Sequence, residues 1–268
     1  MTPEKLNLRT GICRKHGPFE IYDYLCPDSE MRTFGACVKC EQEKINADAE
    51  KEATKLRKDK IEKLISIANI PKRFAGKTFN DYEAKEPRQV AVLETIKRYA
   101  EEFEENLRQG RCMIWTGGPG AGKTHLASCL TKAIIEKTHF KYEAGRYSEK
   151  MELVEHEFFA HYTTEYSLLQ NIKQTWRRDA EDTEIQAISK YTRPDLLIID
   201  EVGVCSSETD KNLFYQVVNS RYEKMLPTVL ISNLNEKDLT AYAGLRVIDR
   251  MKENSGFNLI FDWESHRK

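Results

Sequence analysis

The chain has 268 residues, enough for one full α/β domain and a smaller appendage, and its 40% apolar and 10% aromatic content suits a packed core. Its 42 basic and 43 acidic residues give a net charge of -1, a balance that neither supports nor excludes nucleic-acid binding, where a local patch decides. No apolar run approaches the roughly 20 residues that span a bilayer, and the start MTPEKLNLRTG lacks the apolar segment of a signal peptide, so a cytoplasmic protein without a membrane partner is expected.

Residues 1–42 hold Cys13, His16, Cys26, Cys37 and Cys40 among few apolar runs. Such a segment buries little core and needs a staple. Where thiols are kept reduced, cysteines crowded in this way argue for a metal before a disulfide. Cys13-x2-His16 and Cys37-x2-Cys40 read as two knuckles, because a two-residue spacing lets both side chains of a turn face one ion. The set Cys13, His16, Cys37 and Cys40 suits tetrahedral Zn²⁺, with Cys26 as a substitute for His16 or a bystander. A site with all four positions filled is structural, and it points to recognition of a protein or a nucleic acid.

Residues 43–70 form the second zone. Ile45, Ala49, Ala53 and Leu56, then Ile61, Leu64, Ile65 and Ala68, draw a narrow apolar stripe along a helix rich in Glu, Lys and Ala. It reads as a solvated linker helix, with a partner-binding helix as the alternative, and Pro71 ends it.

Residues 71–268 alternate short apolar runs with helical stretches. Cys112–Thr116, Leu196–Ile199 and Thr228–Ser232 suit strands buried on both faces of a parallel sheet, with helices such as 124–137 and 210–224 between them. The expected fold class is therefore α/β. Directly after the first run comes Gly117-Gly118-Pro119-Gly120-Ala121-Gly122-Lys123-Thr124-His125, a P-loop in the strand–loop–helix context the motif requires. Its glycines let backbone N–H groups turn inward around the phosphates of ATP, and the helix N-terminus adds its positive end. Lys123 supplies a charge for the β- and γ-phosphates, and Thr124 supplies a hydroxyl for Mg²⁺. The second run ends in Asp200-Glu201, placing one carboxylate to hold Mg²⁺ and a second to polarise the attacking water. The third ends in Ser232-Asn233, whose amide suits the γ-phosphate or the water.

The P-loop, LLIIDEVGV (196–204), NSRY (219–222), PTVLISNL (227–234) and LRVIDRM (245–251) occur in an order that resembles the DnaC/IstB family of AAA+ ATPases, which holds bacterial replicative helicase loaders and transposition helpers. The lead-in IPKRFAGKTFNDY (70–82) and the end NLIFDWESHR (258–267) resemble the loader branch more closely. The resemblance covers residues 68 to 268 and implies an AAA+ P-loop core. By position it makes Asn233 the sensor of the γ-phosphate. It makes Arg250 the arginine finger that completes a neighbouring subunit's site, so that hydrolysis depends on self-association. Arg246 shares a helix face with Arg250, and Arg267 is a candidate second sensor.

Residues 139–160 are longer and more acidic than the family core and read as an insertion or a hairpin. After Tyr162 and Tyr166, residues Leu168, Leu169, Ile172 and Trp176 share one helical face beside Lys173, Arg177 and Arg178. In loaders the corresponding insert contacts single-stranded DNA, and basic residues with aromatics are the right chemistry for that. The alternative packs Trp176 into the core. Cys112, Cys129 and Cys205 read as buried small hydrophobes.

The functional expectation is an ATP-dependent loader that binds a replicative ring helicase of the DnaB type and delivers it to single-stranded DNA. The alternatives are a transposition helper ATPase acting on duplex DNA, and a nucleotide-regulated adaptor without DNA binding.

Overall fold

The computed structural model describes residues 5–25, 30–137, 139–143, 152–205 and 207–266, with backbone alone for 139–143 and 152–156. Two compact units divide at Lys60/Ile61. Cys26, Arg267 and residues 144–151 of the acidic stretch lie outside the described residues. No helix among the described residues is long and apolar enough to cross a membrane.

In the first unit, β1 (Leu6–Cys13), β2 (Gly17–Leu25) and β3 (Met31–Phe34) form an antiparallel sheet in the order β1-β2-β3. Helix α1 (Val38–Ile67) follows, starting five residues ahead of the expected second zone at residue 43. The early start has a local cause: the Cys37 carbonyl accepts from Glu41 N–H at 3.0 Å, closing a first turn that carries Cys40. Among the described residues up to Lys60, Cys37 alone is buried.

The second unit contains α2 (Pro87–Glu101), α3 (Phe103–Arg108), β4 (Met113–Gly117), α4 (Lys123–Glu136), β5 (His139–Glu143), β6 (Glu152–His156), β7 (Ala160–Thr164) and α5 (Glu165–Gln174). It continues with α6 (Glu184–Thr192), β8 (Leu196–Asp200), α7 (Glu208–Glu223), β9 (Thr228–Ser232), α8 (Glu236–Ala243), α9 (Leu245–Lys252) and β10 (Phe257–Phe261). Five strands pair in parallel in the order β10-β4-β9-β8-β7, with helices packed between the crossovers, giving the expected α/β P-loop fold. The described backbone of residues 139–160 includes an antiparallel hairpin, β5 with β6.

Strands β8 and β9 are buried at every position, as strands covered on both faces must be. Arg221 sits fully buried below them. Its guanidinium donates to the carbonyls of Tyr191, Pro194 and Pro227 at 2.9, 2.8 and 2.6 Å and to Thr228 Oγ1 at 2.9 Å. It thereby satisfies a carbonyl in the last turn of α6 and the loop carbonyls that precede β8 and β9, and burial lowers its pKa to about 10.

Candidate functional site

In a parallel sheet, ligands bind beyond the carboxyl ends of the strands. Here the strand order puts β4, β9 and β8 side by side, with Thr116 registered to Ser232 and Ile199 to Leu230. The P-loop, Asn233 and the pair Asp200–Glu201 therefore emerge at one edge, around a cleft of about 1120 Å³. Gly117 to Ala121 form the loop, and Gly122, at φ 93°, caps α4 without any side-chain hydrogen bond. That leaves the first amides of α4 to an anion.

Lys123 Nζ donates to the carbonyls of Gly117 and Gly118 at 2.7 and 2.8 Å and to Asn233 Oδ1 at 3.0 Å. Thr124 Oγ1 donates to Asp200 Oδ2 at 2.7 Å, so two hard oxygen donors meet at the head of the helix, a donor set that fits Mg²⁺. Asp200 is buried, whereas Glu201 is exposed on the cleft wall, in the left-handed region at φ 59°.

Several residues of this site escaped sequence reasoning. Tyr162, from β7, donates its hydroxyl to the same Asp200 Oδ2 at 2.7 Å, and burial raises its pKa so that it stays a donor. Phe74 stacks on His125 with ring centroids 5.6 Å apart, and Tyr82 meets His125 edge-on. Burial, then repulsion from Lys77, lowers the His125 pKa, which keeps the ring neutral. The end of the chain folds over the P-loop. Trp263 Nε1 and Tyr82 OH both donate to Ala121 O, at 3.0 and 3.3 Å, and His266 N donates to Gly120 O at 3.0 Å. A Cβ on Gly117 would stand 2.2 Å from Phe261 O, and one on Gly120 only 2.0 Å from Ser265 Oγ. Both positions must be glycine for this overlay. The family-like lead-in and end segments were the available signal, without indicating these contacts.

Arg250 does not line its own chain's cleft. It donates to Tyr215 OH at 3.1 Å and to Asn219 Oδ1, and its guanidinium lies over the Tyr222 ring at 4.9 Å. Arg246 is exposed one turn away. On α5, Leu168, Leu169 and Ile172 are buried, but the helix ends at Gln174 and Trp176 leaves their face. Trp176 is 52% exposed, with Nε1 donating to Glu184 at 2.6 Å, so it does not pack into the core. Arg177 and Arg178 are exposed beside it, whereas Lys173 is paired with Asp210 of α7. Cys112 and Cys129 are buried and Cys205 partly so.

In the first unit, Cys13, His16, Cys37 and Cys40 bring their ligand atoms within 4.8 Å of one another. Sγ of Cys13 and Cys40 are 3.5 Å apart, and His16 Nδ1 lies 3.8, 3.6 and 3.3 Å from the sulfurs of Cys13, Cys37 and Cys40. A tetrahedral Zn²⁺ with Zn–S near 2.3 Å and Zn–N near 2.0 Å requires S–S edges of about 3.8 Å and S–N edges of about 3.5 Å, so this donor set fits. His16 Nε2 lies 3.1 Å from Glu43 Oε1, where an outer carboxylate would orient the imidazole of a metal ligand. Backbone amides of His16 and Lys15 lower the Cys13 pKa to about 6, while the hydrogen bond with Cys13 pushes the Cys40 thiol up to about 11.

Comparison with known proteins agrees with the fold and the motifs. The profile of the family described as IstB-like ATP binding protein matches residues 40–245. The replicative helicase loader DnaC of Buchnera aphidicola subsp. Acyrthosiphon pisum (strain APS) is 31% identical over 210 residues, 78% of this chain and 76% of that protein. DnaC of Escherichia coli (strain K12) is 27% identical over 209 residues, with the same two shares. The crystal structure of the DnaC helicase loader superposes with a TM-score of 0.57 at 21% identity, over 71% of this chain and 99% of that one, a likeness of fold. The chain belongs to the IstB-like ATP-binding family and is an AAA+ ATPase of the DnaC/IstB type.

Proposed function

We propose that this ATPase loads a replicative ring helicase of the DnaB type onto single-stranded DNA, using ATP as the switch that controls assembly and release. The observation that carries the reading is the match, across 76% of their length, to proteins named replicative helicase loaders. The site supports the chemistry. Backbone amides of Gly117, Gly118, Gly120, Ala121 and Gly122 cradle the phosphates beside the Pro119 turn, and His125 with its aromatic neighbours closes the cleft. Lys123 binds the β- and γ-phosphates. Thr124 and Asp200 would hold Mg²⁺, which when bound would supply positive charge to the phosphate oxygens. Glu201 orients and polarises the attacking water, and Asn233, tied to Lys123, reads the γ-phosphate. Arg250, held outward by α7, serves the site of a neighbouring copy, so hydrolysis awaits self-association.

In this reading residues 1–42 are a zinc-binding module held by Cys13, His16, Cys37 and Cys40. Residues 43–70 link it to the AAA+ domain of residues 71–268, and the first two zones grip the helicase. Trp176 with Arg177 and Arg178 supplies stacking and charge for single-stranded DNA, in the bacterial or phage-infected cytoplasm. The exposure of Trp176 supports this over an adaptor without DNA binding. The test mixes the protein with a cognate ring helicase and ATP on circular single strands. Co-elution and ATP-dependent transfer of the helicase to the circle are expected. Absence of any complex overturns the loader reading, and binding to duplex DNA with recruitment of a transposase favours the transposition helper.

A further inference from the structure

Helix α5 opens with a carboxylate that is fully buried. Burying a charge costs several kcal/mol unless close donors replace the lost water. Glu165 Oε2 accepts from the backbone N–H groups of Gly203, Val204 and Cys205 at 2.9, 3.2 and 3.5 Å. Glu165 Oε1 accepts from Tyr242 OH at 2.7 Å. Three successive main-chain amides thus form an anion-binding concavity, filled by a side chain from another part of the fold. Burial and this hydrogen bond raise the Tyr242 pKa far above the tyrosine range, so its hydroxyl remains a donor.

The segment held in this way is the one that follows Glu201. Glu201 occupies the left-handed region at φ 59°, a conformation that persists in a non-glycine residue only when its surroundings impose it. Upstream, Asp200 Oδ1 accepts from Glu201 N–H at 2.7 Å. Next in the chain, Val202 is pinned to β9, its N–H on Ile231 O at 2.9 Å and its carbonyl on Ser232 Oγ at 2.5 Å. Beyond that point Gly203 turns at φ 105° and Val204 is 68% exposed, with Cys205 partly buried against the core. The Glu165 carboxylate adds a hydrogen-bonded restraint on three successive amides. Through Tyr242 it also grips the last turn of α8, the helix that follows Asn233.

We propose that Glu165 is a positioning residue for ATP hydrolysis, fixing the 202–205 loop so that Glu201 and Asn233 face the reacting phosphate in register. The proposal rests on the reading of Glu201 as the residue that polarises water. It predicts a defect in turnover without a defect in nucleotide affinity, because Lys123, Thr124 and the P-loop amides are untouched.

The test is Glu165→Gln, which preserves shape but removes the charge and leaves one neutral acceptor oxygen where the carboxylate offers two to the loop amides and Tyr242. Sites are counted by titration with a fluorescent ATP analogue, and kcat is expressed per binding site at fixed protein concentration. A fall in kcat of about tenfold or more is expected, with KM and analogue affinity within about twofold of the parent. Glu165→Asp, which keeps the charge on a shorter arm, recovers part of the rate, and Tyr242→Phe, which leaves the amide nest intact, loses less than Glu165→Gln. A merely structural role would lower the melting temperature and the number of sites while leaving kcat per site unchanged, and that result overturns the proposal. Glu201→Gln is measured in parallel. Full activity there overturns the reading of Glu201 and the role of Glu165 with it. Loss of activity there, beside unchanged turnover in Glu165→Gln, overturns the Glu165 proposal alone.

Discussion

Replacing Cys37 with Ser tests whether the first unit is held by a metal or by its own packing. Up to Lys60, Cys37 is the one buried residue among those described, and strand β1 is exposed along most of its length. Such a unit removes too little apolar surface from water to offset the entropy of ordering its chain. Structural Zn²⁺ contributes about 10–16 kcal/mol in small modules, so an even share for each of four ligands is about 3 kcal/mol. A serine hydroxyl ligates poorly at neutral pH, and losing that share weakens Zn²⁺ binding by roughly a hundredfold. Competition against a chromophoric chelator would give this affinity for Cys37→Ser and Cys40→Ser, and the double variant should lose its equivalent of metal altogether. Hydrogen exchange adds the structural readout. Stripping the metal should remove amide protection from β1–β3 while β4, β8 and β9 of the second unit keep theirs. Stoichiometric zinc in the double variant, or β1–β3 protected after stripping, would refute the reasoning.

Three further outcomes are expected. Lys123→Ala removes the ammonium that bridges Gly117, Gly118 and Asn233, and should abolish ATP turnover and weaken nucleotide binding at least about tenfold. Unchanged activity in a steady-state assay would remove Lys123 from the site. Trp176→Ala should weaken single-stranded DNA binding by about 1–3 kcal/mol without changing ATP affinity, read by fluorescence anisotropy on an oligonucleotide. An unchanged DNA affinity excludes this residue. Burial pushes the Asp210 carboxyl up, but hydrogen bonds from Lys173 and Ser207 outweigh it and hold the carboxyl below its ordinary 3.8. Its contribution to stability is therefore full above that value and lost as pH falls through the lowered one. Asp210→Asn should melt lower than the parent at neutral pH, with the gap closing in acid. A gap that persists in acid contradicts the ion pair with Lys173.

How far the site could be read in advance follows from how far apart its parts lie in the chain. The P-loop needs contiguous residues, because one loop and one helix N-terminus make the whole phosphate cradle, and residues 117–125 announce it. The same holds for the strand ends at Asp200–Glu201 and Ser232-Asn233. Tyr162 and Glu165 announce nothing. One sits on an edge strand, AHYTT, that lacks a long apolar run, and the other resembles an ordinary acidic first turn. Their partners, Asp200 and the 203–205 amides, lie 38 to 40 residues away, and no local pattern encodes that meeting.

Local chemistry in the residues themselves thus set the nucleotide cradle, the carboxylate pair, the four thiol and imidazole candidates and the α/β alternation. Each depends on spacings within a turn, a strand or a helix, which the backbone's few allowed conformations make predictable. Only the tertiary structure decided that β4, β9 and β8 are neighbours, because strand order follows from how crossovers pack and not from any strand's composition. Only it closed Cys13 onto Cys40 across 27 positions, through the β1–β2 turn and the first turn of α1. It also turned Trp176 outward by ending α5 two residues earlier, and buried Glu165 where the loop after Glu201 needed an acceptor.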